Sequence, residues 1–292
     1  MLGSVFHPRA TRQWLQYVRN DEWLWREAAR FPQLVTRIYR PYALRQLSCR
    51  DRVAHMIGHH ELLQRHGLRA VLQHSLEQPM TLLTLPTKSG DDLAQVQLLS
   101  VHGGHREGEK HLQFLWNGAG LYTLSFLLRQ REDRPQLVVT RLQGSKAPGA
   151  RDAIRLATKG LHGCRPTVML VQLARQFALG VGCQDVLLLS NHQRVALNPL
   201  RRRRIRSDLE GLWHELGACA NAEGFFALPA LVDVPDDFSE VASNKRSEAR
   251  RRAELLRQGL AQLTQSLDRL RGLQPNPIGA GARDTMVLNS RS

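Results

Sequence analysis

The chain lacks any long apolar run: across its 292 residues no stretch approaches the eighteen or more apolar positions that a bilayer-crossing helix requires. Its opening, Met1-Leu2-Gly3-Ser4-Val5-Phe6-His7-Pro8-Arg9, lacks the basic segment and following apolar segment of an export signal. Together these absences set the expectation of a cytoplasmic protein that neither spans a membrane nor carries a signal peptide. Cysteine is scarce as well. Cys49, Cys164, Cys183 and Cys219 lie far apart and form no C-x-x-C pair, which argues against a zinc finger and against a thioredoxin-like redox site. They are expected as buried thiols in a reducing compartment. Acidic residues are also in deficit, 26 against 41 Lys and Arg, leaving a formal charge of +15. Such a field attracts nucleic acid, anionic lipid headgroups, acidic proteins and small phosphorylated cofactors alike. An Arg-rich, high-GC genome would produce the same excess without any function.

What is present divides the chain into three. Residues 11–42 read as helical, with Trp14, Val18, Leu24, Ala28, Leu34 and Ile38 near helical spacing, and a second helix is expected over 48–64. Residues 11–66 thus make an N-terminal helical section. After Gly67 short apolar runs at 80–85, 94–101, 111–116, 121–129 and 136–143 are divided by Gly, Pro, Asp and Ser, the pattern of an antiparallel meander. Helical periodicity returns at 150–161 and 167–180, around Gly163-Cys164-Arg165-Pro166, and a short buried strand is expected at 186–189. A helix near 209–216, a strand at 225–228 and a long helix over 239–273 complete an α+β core, 67–273, expected to form one domain with the helical section. In that last helix Leu256, Leu260, Leu263, Leu267 and Leu270 form one seam, to be buried within the chain or against a second copy in a homodimer. Residues 274–292, rich in Gly, Pro, Asn and Ser, are expected to be disordered.

Several short signatures follow one another in order. They are Leu142-Gln143-Gly144, Gly163-Cys164-Arg165-Pro166, Leu189-Ser190-Asn191-His192, Leu212-Trp213-His214-Glu215-Leu216-Gly217, Gly224-Phe225-Phe226-Ala227-Leu228-Pro229, and Lys245-Arg246 with Arg250-Arg251-Arg252. The succession resembles the VirK/YbjX family, a bacterial domain of unknown biochemical function, over roughly residues 15–270. The family's Tyr-Asp ahead of the Trp is replaced by Ser207-Asp208. The resemblance implies a cytoplasmic protein of Gram-negative bacteria, associated with virulence, envelope integrity and resistance to cationic antimicrobial peptides; a peripheral place at the inner membrane is a further expectation for this basic chain. The resemblance implies no reaction.

The segment 137–189 is, in addition, similar to the core of Gcn5-related acyltransferases, where a strand opens at a Gly-containing turn and the next helix N-terminus holds a pyrophosphate. On that similarity acyl-CoA is a candidate cofactor, and Gln143, Gly144, Lys146 and Arg151, with Arg165 and Trp213, are candidate ligand-binding residues. The family's full glycine pattern is not met; Gly149 alone follows Gly144 in the turn. Candidate catalytic residues are His192 as general base, Asn191 to orient a carbonyl, and Glu215. Candidate anion-binding residues are Arg201, Arg202, Arg203, Arg204 and Arg206, five guanidinium groups in six residues, with a second cluster of Arg246, Arg250, Arg251 and Arg252. The blander expectation for both clusters is a solvated loop and a charged helix face. No aromatic residue interleaves these runs and no DNA- or RNA-binding signature is present, so nucleic acid is one anionic partner among several. His55, His59, His60 and His66 lack a recognisable third ligand, and no metal is expected; His102-Gly103-Gly104-His105 suits a hairpin turn.

Overall fold

The computed structural model describes residues 6–44, 47–71, 78–100, 106–191, 193 and 209–272. The expected first helical stretch is divided. Helix α1 (Pro8–Asn20) ends at Asp21, whose carboxylate accepts the Leu24 N–H at 3.0 Å and starts α2 (Glu22–Arg30). A side chain able to cap a new helix thus interrupts a continuous apolar period. Helix α3 (Gln33–Thr36) runs into a 3₁₀ turn, Arg37–Tyr39, and α4 (Cys49–Arg65) is capped by Ser48, whose hydroxyl accepts the Asp51 N–H at 3.1 Å.

Strands β1 (Met80–Leu85), β2 (Ala94–Ser100), β3 (Lys110–Trp116), β4 (Ala119–Arg131) and β5 (Arg134–Gly144) form the expected antiparallel meander. Helices α5 (Ala150–Gly160) and α6 (Pro166–Gly180) then carry the chain over one face to β6 (Asp185–Leu188), which lies parallel to β5. Helix α7 (Leu209–Glu215) leads to β7 (Cys219–Ala220) and β8 (Phe226–Pro229), and α8 (Ser243–Gly272) follows. The eight strands make one mixed, mostly antiparallel sheet in the order β1-β2-β3-β4-β5-β6-β8-β7. The fold is thus α+β, with N-terminal helices and a long C-terminal helix.

The two faces are covered differently. On one, Leu112, Phe114, Leu124 and Phe126 pack against Met169, Leu173 and Phe177 of α6 and Leu263 and Leu267 of α8. The leucine seam is therefore spent inside the chain: Leu263, Leu267 and Leu270 are buried, and Leu256 and Leu260 pack on the same core. Of the two alternatives for the seam, burial within the chain is the one realised. Gly180 permits the close approach, since a Cβ there would stand 2.5 Å from Leu267 Cδ1. On the other face Leu127, Val138, Leu187 and Phe225 pack against Trp14, Val18, Leu24, Val53 and Met56 of the N-terminal helices.

Strand β4 outruns β3 beyond Phe126, and α4 covers the freed edge, where His59 Nδ1 accepts the Leu128 N–H at 3.0 Å. This gives His59 a structural task, capping an edge that would otherwise leave a buried donor unpaired. Beside it, Glu109 accepts hydrogen bonds from Arg37 and from the Tyr42 hydroxyl, all three buried, and Lys110 Nζ bonds the Val71 carbonyl at 3.2 Å and the Ser100 hydroxyl. Cys49, Cys164 and Cys183 are buried free thiols, as expected, but Cys219 is exposed because it lies on the two-residue edge strand β7.

Candidate functional site

The sheet opens between its parallel strands. β5 and β6 pair from Gln136 opposite Asp185 to Val139 opposite Leu188, after which β5 runs on to Gly144 without β6. The parting coincides with a bulge. Ser125 faces Arg141 and Phe126 faces Val139, which leaves Thr140 as the extra residue. The Thr140 hydroxyl turns to the carbonyls of Glu107 (2.6 Å) and Ser125 (3.1 Å). A bulge increases local twist and terminates pairing, so the divergence has a cause in the register.

At this end of the sheet lies a basin of about 690 Å³ between α5, the turn before α6, the start of α8 and the β1–β2 connection. The connection is tied in place by the Lys88 N–H, which bonds the Gly160 carbonyl at 2.8 Å. Six basic side chains line the basin, Lys88, Arg155, Lys159, His162, Arg165 and Arg251, against one acid, Glu248. Arg155 is drawn to Asp152 (3.4 Å) and Arg165 to Glu215, whereas Lys88, Lys159 and Arg251 have no ion pair among the described residues. The positive field reaches His162: burial pushes its imidazole pKa down, and Arg251 and Lys88 push it the same way.

Helix α6 opens into this basin. Its N-cap residue, Arg165, makes no side-chain cap, Pro166 occupies the first turn, and no acid lies there. The N–H groups of the first turn of a helix have no intrahelical partner and carry partial positive charge, so this end favours an anion. Helix α5 differs. It starts at Gly149 (φ +75°) and already has Asp152 in its first turn.

Tyr122 lines the basin and also a smaller hollow, about 360 Å³, that contains Gln143, Gly144 and Lys146. Burial raises the Tyr122 hydroxyl pKa, with nearby Arg165 opposing the shift. Of the other predicted ligand-binding residues, Arg165 lines the basin and Arg151 is exposed on α5, lining neither space. Trp213 is buried, and its indole N–H donates to the Leu189 carbonyl at 3.0 Å, closing the end of β6.

Asn191 follows β6; its backbone N–H donates to Glu210 at 2.8 Å, while its side-chain Oδ1 is buried without a partner among the described residues. Glu215 is exposed, and its hydrogen bond from Arg165 holds the carboxyl below its usual pKa, which makes it a weaker base. His192, the run from Arg201 to Arg206, the His102–His105 turn and the tail 274–292 lie outside the described residues.

The second arginine cluster separates by task. Arg246 bonds the carbonyls of Val241 (2.7 Å) and Ser239 (2.8 Å), bracing the approach to α8. Arg251 faces the basin, Arg252 lies against Gly163, and Arg250 lines a shallow hollow beside Pro86. Sequence reasoning missed Lys88, Lys159, His162 and Tyr122, which no local motif marks. Among the described residues no group of three His, Cys, Asp or Glu side chains is placed to hold a metal, and no helix is long and apolar enough to cross a membrane.

Fold and site together define a class: an α+β protein with a mixed sheet parted at its parallel pair and a basic basin among α5, α6 and the start of α8. A family model described as "Protein of unknown function (DUF535)" matches residues 1–265, and the chain belongs to that family. It is 27% identical over 262 residues to the uncharacterized protein YbjX of Escherichia coli, covering 88% of this chain and 78% of that one. An uncharacterized protein of Haemophilus influenzae is 29% identical over 124 residues, 42% of this chain and 41% of the other. The resemblance drawn from the ordered signatures is thereby borne out. No solved structure matches.

Proposed function

We propose that this protein binds an acyl-coenzyme A or a closely related phosphorylated acyl donor in the basic basin and transfers its acyl group. One observation carries the reading. β5 leaves β6 at the Thr140 bulge, and the uncapped start of α6 stands with six basic side chains in a basin formed by α5, α6 and α8 on one side of the sheet. An extended thioester donor needs these two provisions together, a slot between strands for its arm and fixed donors for its phosphates. The strand order, with one diverging parallel pair in an otherwise antiparallel sheet, favours the same reading, through the similarity to Gcn5-related acyltransferases. The phosphate-holding helix end is that of α6, one helix later than the turn at Gln143–Gly149. In the transfer step an acceptor nucleophile would add to the thioester carbonyl. The C–S bond then breaks, and the thiol leaves with the proton lost by the acceptor. Asn191, after β6 and with an unpartnered buried oxygen, is the candidate to orient the acceptor.

A second reading, contact of the same basic surface with an acidic macromolecule, is separated from the first by one titration. Coenzyme A and acetyl-coenzyme A should bind the protein saturably in calorimetry, and less tightly as salt rises. Reversing Lys88, Lys159 and Arg251 together (Lys88→Glu, Lys159→Glu, Arg251→Glu) should weaken binding by about 100-fold, roughly 1 kcal/mol per exposed charge. Folding should be unchanged, because none of the three has an ion pair to lose among the described residues. Silence of the wild type toward both ligands, or equal binding by the variant, would overturn the proposal.

A further inference from the structure

The geometry points to a second ligand site, on the opposite face of the same strand ends: the hollow over β3, β4 and β5 binds a neutral, polyhydroxylated ligand of monosaccharide size. The inference stands on that hollow alone and does not require the donor reading.

Register builds the site. His111, Ser125 and Arg141 face one another across the three strands, and Gln113, Thr123 and Gln143 form the next row. Cβ atoms of directly opposed residues in antiparallel strands lie about 5 Å apart, so six polar side chains form a two-by-three grid on one face. The intervening Leu112, Leu124 and Leu142 point into the core. Two bulges bound the grid, Leu121 in β4 and Thr140 in β5, and their added twist hollows the sheet. Gly120 at the rim leaves room for Gln113, whose Nε2 would stand 2.6 Å from a Cβ at that position.

A polar sheet face turned to water is ordinary; the floor of this one is not. Ser125 is completely buried (0% exposed), lines the hollow, and its Oγ has no hydrogen-bond partner among the described residues. A buried hydroxyl left unpaired costs free energy, and a ligand reaching into the hollow would satisfy it. The lining chemistry fixes the ligand class. Two carboxamides and two hydroxyls each offer both donors and acceptors, as sugar hydroxyls do. The guanidinium of Arg141 is paired with Glu107, which neutralises the floor of the grid, and the exposed Lys146 at the end of the hollow is the lining cation without an ion pair among the described residues. The volume, about 360 Å³, is within the range of small-ligand pockets.

Saturation-transfer NMR with glucose, N-acetylglucosamine and, as a charged comparator, glucuronate tests the site. Both neutral sugars should receive saturation. Ser125→Ala and Thr123→Val should each weaken their binding about three- to tenfold, the worth of one neutral hydrogen bond. Ser125→Ala should meanwhile melt no lower than the wild type, because it removes an unsatisfied hydroxyl; a serine kept for structure would lose stability instead. Arg165→Glu, which acts on the basic basin, should leave sugar binding intact, so the two sites fail separately. The inference is overturned by absence of transfer to both neutral sugars, by unchanged binding in Ser125→Ala and Thr123→Val, or by a preference for glucuronate.

Discussion

Acidification from pH 6.5 to pH 4 should unfold this protein, with a loss on the order of 5 kcal/mol of stability. Three histidines of α4 carry the effect: His55, which burial pushes down to about 4 with Arg129 adding to the shift, His59 and His60. Burial pushes His60 down to about 4 and His59 well below 6.5, with positive neighbours adding to the shift and, for His60, Glu109 opposing it. In the unfolded chain all three imidazoles take up a proton as pH falls through about 6.5, but the folded protein refuses His55 and His60 until near pH 4 and holds His59 neutral well below 6.5. The unfolded state therefore binds more protons throughout that interval, and stability falls by up to about 1.4 kcal/mol per pH unit for each histidine. Above pH 6.5 both states hold them neutral and the slope vanishes. Neither ring nitrogen of His60 has a hydrogen-bond partner, and its ring lies 6.4 Å from Tyr17 and 6.2 Å from Trp23. His60→Phe should accordingly keep the stability at pH 7 and remove about a third of the acid loss. Urea melts at pH 7, 5 and 4 check this, and a flat profile in the wild type would contradict it.

The second large effect comes from the neighbouring ion pair. Glu109→Gln should cost about 3–5 kcal/mol, because it strands a buried guanidinium whose side chain is only 2% exposed. The carboxylate also accepts the Tyr42 hydroxyl, so one substitution disturbs three buried groups. Removing both charges, Arg37→Met with Glu109→Leu, should recover most of the loss, since a buried pair is worth little against apolar residues of similar volume. Equal destabilisation by the single and the double variant would show that the pair is not where the cost arises.

Much of this architecture is legible in the sequence. β1 occupies the run read as a strand, Met80–Leu85, and alternation across β2 and β3 marks a sheet with one dry face. The leucines of α8 announce burial, although spacing alone cannot choose between α6 and a second copy. Asp21 was invisible as a break because its neighbours keep the apolar period, and β7 is too short to carry an alternation. The site was harder. Gly163-Cys164-Arg165-Pro166 is recognisable as a helix start, yet two helices follow β5, and nothing local says which one faces the parted strands. Lys88 reaches the basin through a connection far away in sequence, so only the tertiary fold joins it to Arg165 and Arg251.

The central claim is that the phosphates of an acyl donor sit at the start of α6, in the basic basin. Amide hydrogen exchange, with and without acetyl-coenzyme A, addresses it at the level of single segments. Exchange should slow over residues 163–168, at the uncapped first turn of α6, while residues 144–152 change little. Binding without protection at 163–168, or protection confined to 144–152, would contradict the account.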